Sequence, residues 1–83
     1  MKKFSATVWA KDGEFGIRPI GSVEEAQIFL EGWPAMDRSP LYYVAANGIE
    51  AAEAGSVTPN EAKEMLVEFL DDAGALAEDR FAT

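Results

Sequence analysis

The sequence predicts an α+β fold in which an N-terminal antiparallel β-hairpin packs on three α-helices. Alternating apolar residues flank an Asp-Gly pair, and three Ser or Thr residues precede segments with apolar residues at helical spacing. A chain of 83 residues forms one domain, 1–83, with a tail at 77–83 that can be flexible. The strands are expected at about 4–10 and 14–20, and the helices at about 22–32, 40–54 and 58–74.

The hairpin is predicted from Asp12 and Gly13, residue types that suit a two-residue turn with positive φ. Such a turn would place Trp9 opposite Gly16, and Trp9 would share a face with Arg18. The apolar face would hold Phe4, Ala6, Val8, Ala10, Phe15 and Ile17. The polar face would hold Ser5, Thr7, Trp9, Lys11, Glu14 and Arg18.

The second strand is expected to end at Pro19, which lacks an N–H and suits a sheet edge. Because a hairpin of two strands is marginal alone, it must pack on the helices, gain a strand or pair with another molecule. Residues 80–83 are one candidate for the added strand.

The first helix is expected to begin at Ser22, an N-cap, with Glu25 completing a capping box. Pro34 disfavours helical angles at Trp33, so the helix should end there. We expect Trp33 to close the end of the core at the junction between hairpin and helices.

The second and third helices begin with the same signals, Ser39-Pro40 and Thr58-Pro59. In the second helix, one of the adjacent Tyr42 and Tyr43 should face the core and the other the solvent. Gly48 in that helix costs about 1 kcal/mol relative to alanine, so we expect it to permit close helix packing. The apolar stripe of the third helix comprises Ala62, Met65, Leu66, Phe69, Leu70 and Ala73.

Composition narrows the functional classes. The formal charge is −8, and residues 41–83 carry a net −7 of it, so nucleic-acid binding is not expected. The absence of cysteine and histidine removes thiolate chemistry and the commonest general base and metal ligand. We therefore predict no enzyme activity, no catalytic residues, no cofactor and no metal. We also predict a cytoplasmic protein without a membrane span.

Residues 22–34 carry a spaced pattern: Ser22-x-x-Glu25-Ala26-x-x-Phe29-Leu30-x-x-Trp33-Pro34. Further residues follow in order: Arg38, Pro40, Tyr42, Ala45, Gly55, Glu61, Ala62 and Lys63. Together they resemble a bacterial domain-of-unknown-function family, number 982, over nearly the whole chain to about Ala77. Ile49 stands where many members have cysteine, and Lys63 where arginine is more usual, so no thiol site would transfer. The resemblance implies a small stand-alone bacterial protein and no assigned activity.

Four residues are candidate binding positions: Trp9, Arg18, Trp33 and Arg38. Tryptophan and arginine are enriched at binding hot spots, and arginine is scarce on this acidic chain. The alternative for Trp9 is a structural role, capping the hairpin or lying under the C-terminal tail. The alternative for Arg38 is a surface salt bridge with Asp37 or a glutamate of the first helix.

Three functional hypotheses follow from the sequence. The first is a small acidic protein-interaction or regulatory module, with an unknown protein partner or a second copy through an open hairpin edge or the small-residue helix. The second is a small-ligand or anion-binding domain that uses the four candidate residues. The third is an acidic mimic that binds a basic partner.

Overall fold

The computed structural model describes residues 2–12 and 16–77, and it has the predicted α+β architecture. An antiparallel hairpin comprises β1 (Lys3–Asp12) and β2 (Gly16–Ser22). Three helices follow it: α1 (Val23–Glu31), α2 (Pro40–Glu53) and α3 (Pro59–Asp72). A short 3-10 turn, Ala35–Asp37, connects α1 to α2.

The predicted helix starts are confirmed by their capping hydrogen bonds. The Ser22 hydroxyl accepts from Glu25 N–H at 3.2 Å. Thr58 and Glu61 form a complete capping box, with bonds of 3.1 and 2.8 Å. The box predicted at Ser22 is only half formed, because the Glu25 carboxylate accepts from Gly21 N–H at 2.6 Å instead.

The predicted hairpin register is wrong. Trp9 lies opposite Pro19, not Gly16, and Ala10 lies opposite Arg18. The pairing of Asp12 with Gly16 leaves three residues between the paired ends, where a two-residue turn was expected. Because paired residues point to the same side of a sheet, Arg18 shares the inner face with Ala10, and Trp9 points to the opposite face.

The apolar face of the hairpin differs accordingly. Phe4, Val8 and Ala10 are buried as predicted, and Ile20 joins them opposite Val8. Ile17 instead pairs with Lys11 on the outer face. Two further members of the predicted face differ or are not described: Ala6 is exposed, and Phe15 lies outside the described residues.

The second edge of β1 is occupied by the segment that follows α3. Leu76 bridges Ala10, the Lys11 N–H donates to the Ala75 carbonyl at 2.7 Å, and the Ala77 N–H donates to the Trp9 carbonyl at 2.9 Å. This chain segment is therefore the added edge pairing that the hairpin needed. The strand predicted at residues 80–83 lies outside the described residues.

The inner face of the hairpin and the three helices enclose one core. Tyr42 is 6% exposed and Tyr43 52% exposed, which confirms that the two rings separate between core and solvent. A Cβ on Gly48 would overlap the Met65 Sδ, so the glycine lets the Met65 side chain of α3 pack directly against the backbone of α2. Within residues 2–12 and 16–77, no helix is long and apolar enough to cross a bilayer.

Candidate functional site

The four sequence-predicted binding residues do not form one site. Trp9 lies on the outer face of the hairpin, half-buried, while Arg18 is on the inner face. Arg18 and Trp33 line one cleft, at the junction of the hairpin and the helices. Trp9 and Arg38 are not part of the lining of this cleft. The proposed pairing of Trp9 with Arg18 on one face is therefore wrong, because the register differs from the predicted one.

Arg38 acts in the structure as a cap for the end of α1. Its guanidinium donates to the Trp33 carbonyl at 3.2 and 3.0 Å and to the Glu31 carbonyl at 3.4 Å. The same group lies 4.8 Å from the centre of the Tyr42 ring. A cation at a helix C-terminus offsets the negative end of the helix dipole and satisfies free carbonyls. The expected salt bridge is thus replaced by bonds to backbone carbonyls.

Trp33 closes one end of the core, as predicted. Its ring lies 5.8 Å from that of Phe29 and 4.9 Å from that of Phe69, the latter edge to face. The indole N–H donates to the Asp37 carbonyl at 3.1 Å. These contacts fix the ring, while its half-buried surface borders a cleft at the junction of hairpin and helices.

This cleft, which we call the hairpin cleft, has a volume of about 440 Å³. Its lining includes the aromatic residues Phe29 and Trp33, two basic residues, Lys11 and Arg18, and two aspartates, Asp12 and Asp37. The Arg18 guanidinium lies 5.7 Å from the centre of the Phe29 ring. The Arg18 side chain makes no hydrogen bond or ion pair with any other described residue.

A second depression, the α1–α2 groove, has a volume of about 210 Å³. It is lined by Gln27, Leu30, Glu31, Tyr42, Ala46, Asn47, Ile49 and Glu50. Leu30, Tyr42 and Ile49 are buried core residues whose surfaces form the apolar floor. The carboxylates of Glu31 on α1 and Glu50 on α2 are exposed, so each wall carries one negative charge.

Exposed apolar side chains flank the α1–α2 groove on both helices. Ile28 on α1 is 60% exposed and adjoins Gln27 of the lining. Tyr43 on α2 is 52% exposed and lies one helical turn before Ala46 and Asn47. These two side chains add exposed apolar surface beside the groove, a feature typical of interaction surfaces.

Sequence reasoning missed the α1–α2 groove as a site. Its floor residues, Leu30, Tyr42 and Ile49, are apolar helix residues of the kind that form cores, so the sequence does not single them out as a site. The sequence carries one weak signal: Tyr43 directly follows the buried Tyr42 on α2, so the two rings cannot both face the core.

Of three comparisons with known proteins, the comparison with protein families finds a match. A family model described as "Protein of unknown function (DUF982)" matches residues 8–77. No curated protein and no solved structure matches the chain.

Proposed function

The chain belongs to the DUF982 family, whose function is unknown, and we propose from its own surface that it is a protein-interaction module. In this proposal the α1–α2 groove binds a partner segment that presents an apolar side chain flanked by lysine or arginine. One observation carries the proposal: the groove has an apolar floor and a carboxylate on each wall.

The apolar floor supplies the affinity. Leu30, Tyr42 and Ile49 are at most 6% exposed, so their positions are set by the core. A groove of about 210 Å³ accommodates one or two large apolar side chains of a partner. Burying such a side chain contributes about 1.5–3 kcal/mol, and a preformed groove loses little entropy on binding.

The charge selects the partner. Glu31 and Glu50 border the floor, on a chain with a formal charge of −8. A basic segment is attracted to this surface, which raises the association rate and excludes acidic competitors. A second copy of the chain carries the same −8 and is repelled, so the proposed partner is a different, basic protein.

The two features that suggested a homodimer, the small-residue helix and the open hairpin edge, make contacts within the chain itself. The small-residue surface at Gly48 is filled by Met65. At the outer edge of β2, Pro19 offers no N–H and the Gly21 N–H is bonded to Glu25. These contacts favour the heterologous partner over self-association through those surfaces.

The chemistry of the partner can be tested with three synthetic peptides. The first is a short amphipathic peptide of leucine and lysine at helical spacing; the second replaces lysine with glutamate, and the third replaces leucine with serine. Calorimetric titration should detect binding of the first peptide alone, weakened by added salt. Equal binding of the serine peptide would overturn the proposal in favour of a purely electrostatic mimic, and no binding of the first peptide would also overturn it.

A further inference from the structure

We propose that the hairpin cleft binds a small zwitterion with an apolar or aromatic side chain, of the α-amino acid class. The cleft combines three recognition elements that suit such a molecule. Arg18 is placed to bind the carboxylate, Asp12 the ammonium group, and Phe29 and Trp33 the side chain. This site is separate from the α1–α2 groove and independent of the interaction proposed there.

Arg18 is the first element. The chain has 15 acidic and seven basic side chains, so a basic group on its surface has many possible partners. Yet within the described part of the chain the Arg18 guanidinium makes no ion pair or hydrogen bond, and it lies 5.7 Å from the centre of the Phe29 ring. A planar guanidinium held over a ring keeps its N–H donors available, and two of them fit a carboxylate.

Asp12 is the second element. It pairs with Gly16, two residues along from the pair of Ala10 and Arg18, so Asp12 and Arg18 are diagonal neighbours on the inner face. Among the described residues, no hydrogen bond or ion pair joins the Asp12 carboxylate to the Arg18 guanidinium. Both groups are therefore available to one small molecule bound between them. The carboxylate and ammonium of an amino acid are adjacent and can bridge the two side chains.

The aromatic wall is the third element. Phe29 is 6% exposed and is held by the core, and Trp33 is fixed by its bond to the Asp37 carbonyl at 3.1 Å. Both rings therefore present rigid apolar surface to the cleft. The volume of about 440 Å³ accommodates an aromatic amino acid.

The charges of the lining also exclude alternatives. The lining holds two basic side chains, Lys11 and Arg18, and two acidic ones, Asp12 and Asp37, so its net charge is zero and it suits a neutral zwitterion better than a phosphate or another multiply charged anion. A simple amine lacks a partner for Arg18, and a simple carboxylate lacks one for Asp12. A zwitterion is the class that satisfies both charges at once.

The test uses the intact chain and its two indole N–H signals in NMR spectra, assigned with Trp9→Phe. L-phenylalanine should shift the signal of Trp33 and leave that of Trp9, on the outer face, in place. Phenylpropionate, which lacks the amine, and phenylethylamine, which lacks the carboxylate, should bind at least about tenfold more weakly, or ~1.4 kcal/mol. Equal affinity for all three compounds, or no shift with L-phenylalanine, would overturn the assignment.

Two variants test the assigned roles. Arg18→Gln should weaken L-phenylalanine binding by about tenfold or more, whereas Lys3→Gln, which removes a charge from an exposed position on β1, should not. Asp12→Asn should abolish the preference for L-phenylalanine over phenylpropionate, and because Asp12 is exposed this variant should fold. A preference that persists in Asp12→Asn, or an unchanged affinity in Arg18→Gln, contradicts the proposal.

Discussion

The Tyr42 hydroxyl donates a 2.8 Å hydrogen bond to the Leu30 carbonyl and so connects α2 to the last turn of α1. The same carbonyl accepts from the Trp33 N–H at 3.1 Å. Two donors from different parts of the chain thus meet at one oxygen between the two candidate sites. Tyr42 lines the floor of the α1–α2 groove, and Trp33 lines the hairpin cleft.

Removing the Tyr42 hydroxyl should destabilise the fold measurably. Tyr42→Phe deletes a buried hydrogen bond and should lower the free energy of unfolding by about 1 kcal/mol. Tyr43→Phe is the matched control, since its ring is 52% exposed, and its effect should stay within about 0.5 kcal/mol. Urea unfolding of both variants gives the comparison, and equal effects would contradict the assigned role of Tyr42.

A methyl group at Gly48 should have a smaller benefit in the wild type than in a Met65→Ala background. Gly48→Ala overlaps the flexible end of the half-buried Met65 side chain, which must shift, and this cost should offset much of the helix gain of about 1 kcal/mol. In a Met65→Ala background the overlap is gone, so the same change should raise the free energy of unfolding by up to about 1 kcal/mol. A double-mutant cycle measures this coupling, and an effect of the same sign and size in both backgrounds would disprove it.

The carboxyl of Glu24 should contribute to stability in a pH-dependent way. Its pKa lies below the ordinary 4.5, first because its own backbone N–H at the start of α1 bonds to it, and also because the Lys2 N–H donates at 3.1 Å. A lowered folded-state pKa stabilises the fold above pH 4.5, and this stabilisation is lost as the pH falls through the lowered value.

Glu24→Gln should therefore be less stable than the wild type at neutral pH, and the difference should narrow in acid. Urea unfolding at neutral pH and below pH 4.5 measures it. Glu64→Gln, which removes the same charge from an exposed position on α3, controls for net charge. A difference that stays constant across this range would show that the Glu24 contacts do not act through its ionisation.

Loss of the Arg38 guanidinium should loosen the junction at the end of α1. Arg38→Met keeps much of the aliphatic stem but removes the bonds to the Trp33 and Glu31 carbonyls, which should cost about 1–2 kcal/mol. Lys63→Met, at another half-buried basic position, should have a smaller effect. Thermal unfolding separates the two, and a loss no greater than that of Lys63→Met would contradict the capping role.

The helix starts could be predicted because their signals are local. Ser22, Ser39 and Thr58 each bond a backbone N–H within three residues, so sequence spacing alone contains the geometry. The same holds for the separation of Tyr42 from Tyr43, which follows from the helical period.

The hairpin register could not be predicted from its turn. The preference of Asp-Gly for a tight turn stabilises the hairpin less than the burial of Ile20 opposite Val8 does. The partner of Val8 moves from Ile17 to Ile20, an odd shift, so every side chain of β2 changes face. This is why Arg18 joins Trp33 at the hairpin cleft and is separated from Trp9.

The α1–α2 groove was missed for a related reason. Leu30, Tyr42 and Ile49 follow a core pattern, and the pattern does not reveal whether a neighbouring element covers them. Their accessibility depends on how far apart α1 and α2 pack, a tertiary property that no single helix encodes.

Locating the peptide-binding site with two phenylalanine variants tests the central proposal most directly. Ala46→Phe fills the α1–α2 groove, whereas Val44→Phe adds the same ring to an exposed position of the same helix outside the groove lining. Calorimetric titration with the leucine–lysine peptide should show an affinity at least about tenfold lower for Ala46→Phe, and an unchanged affinity for Val44→Phe. Equal affinities of Ala46→Phe and the wild type would show that the groove is not the binding site.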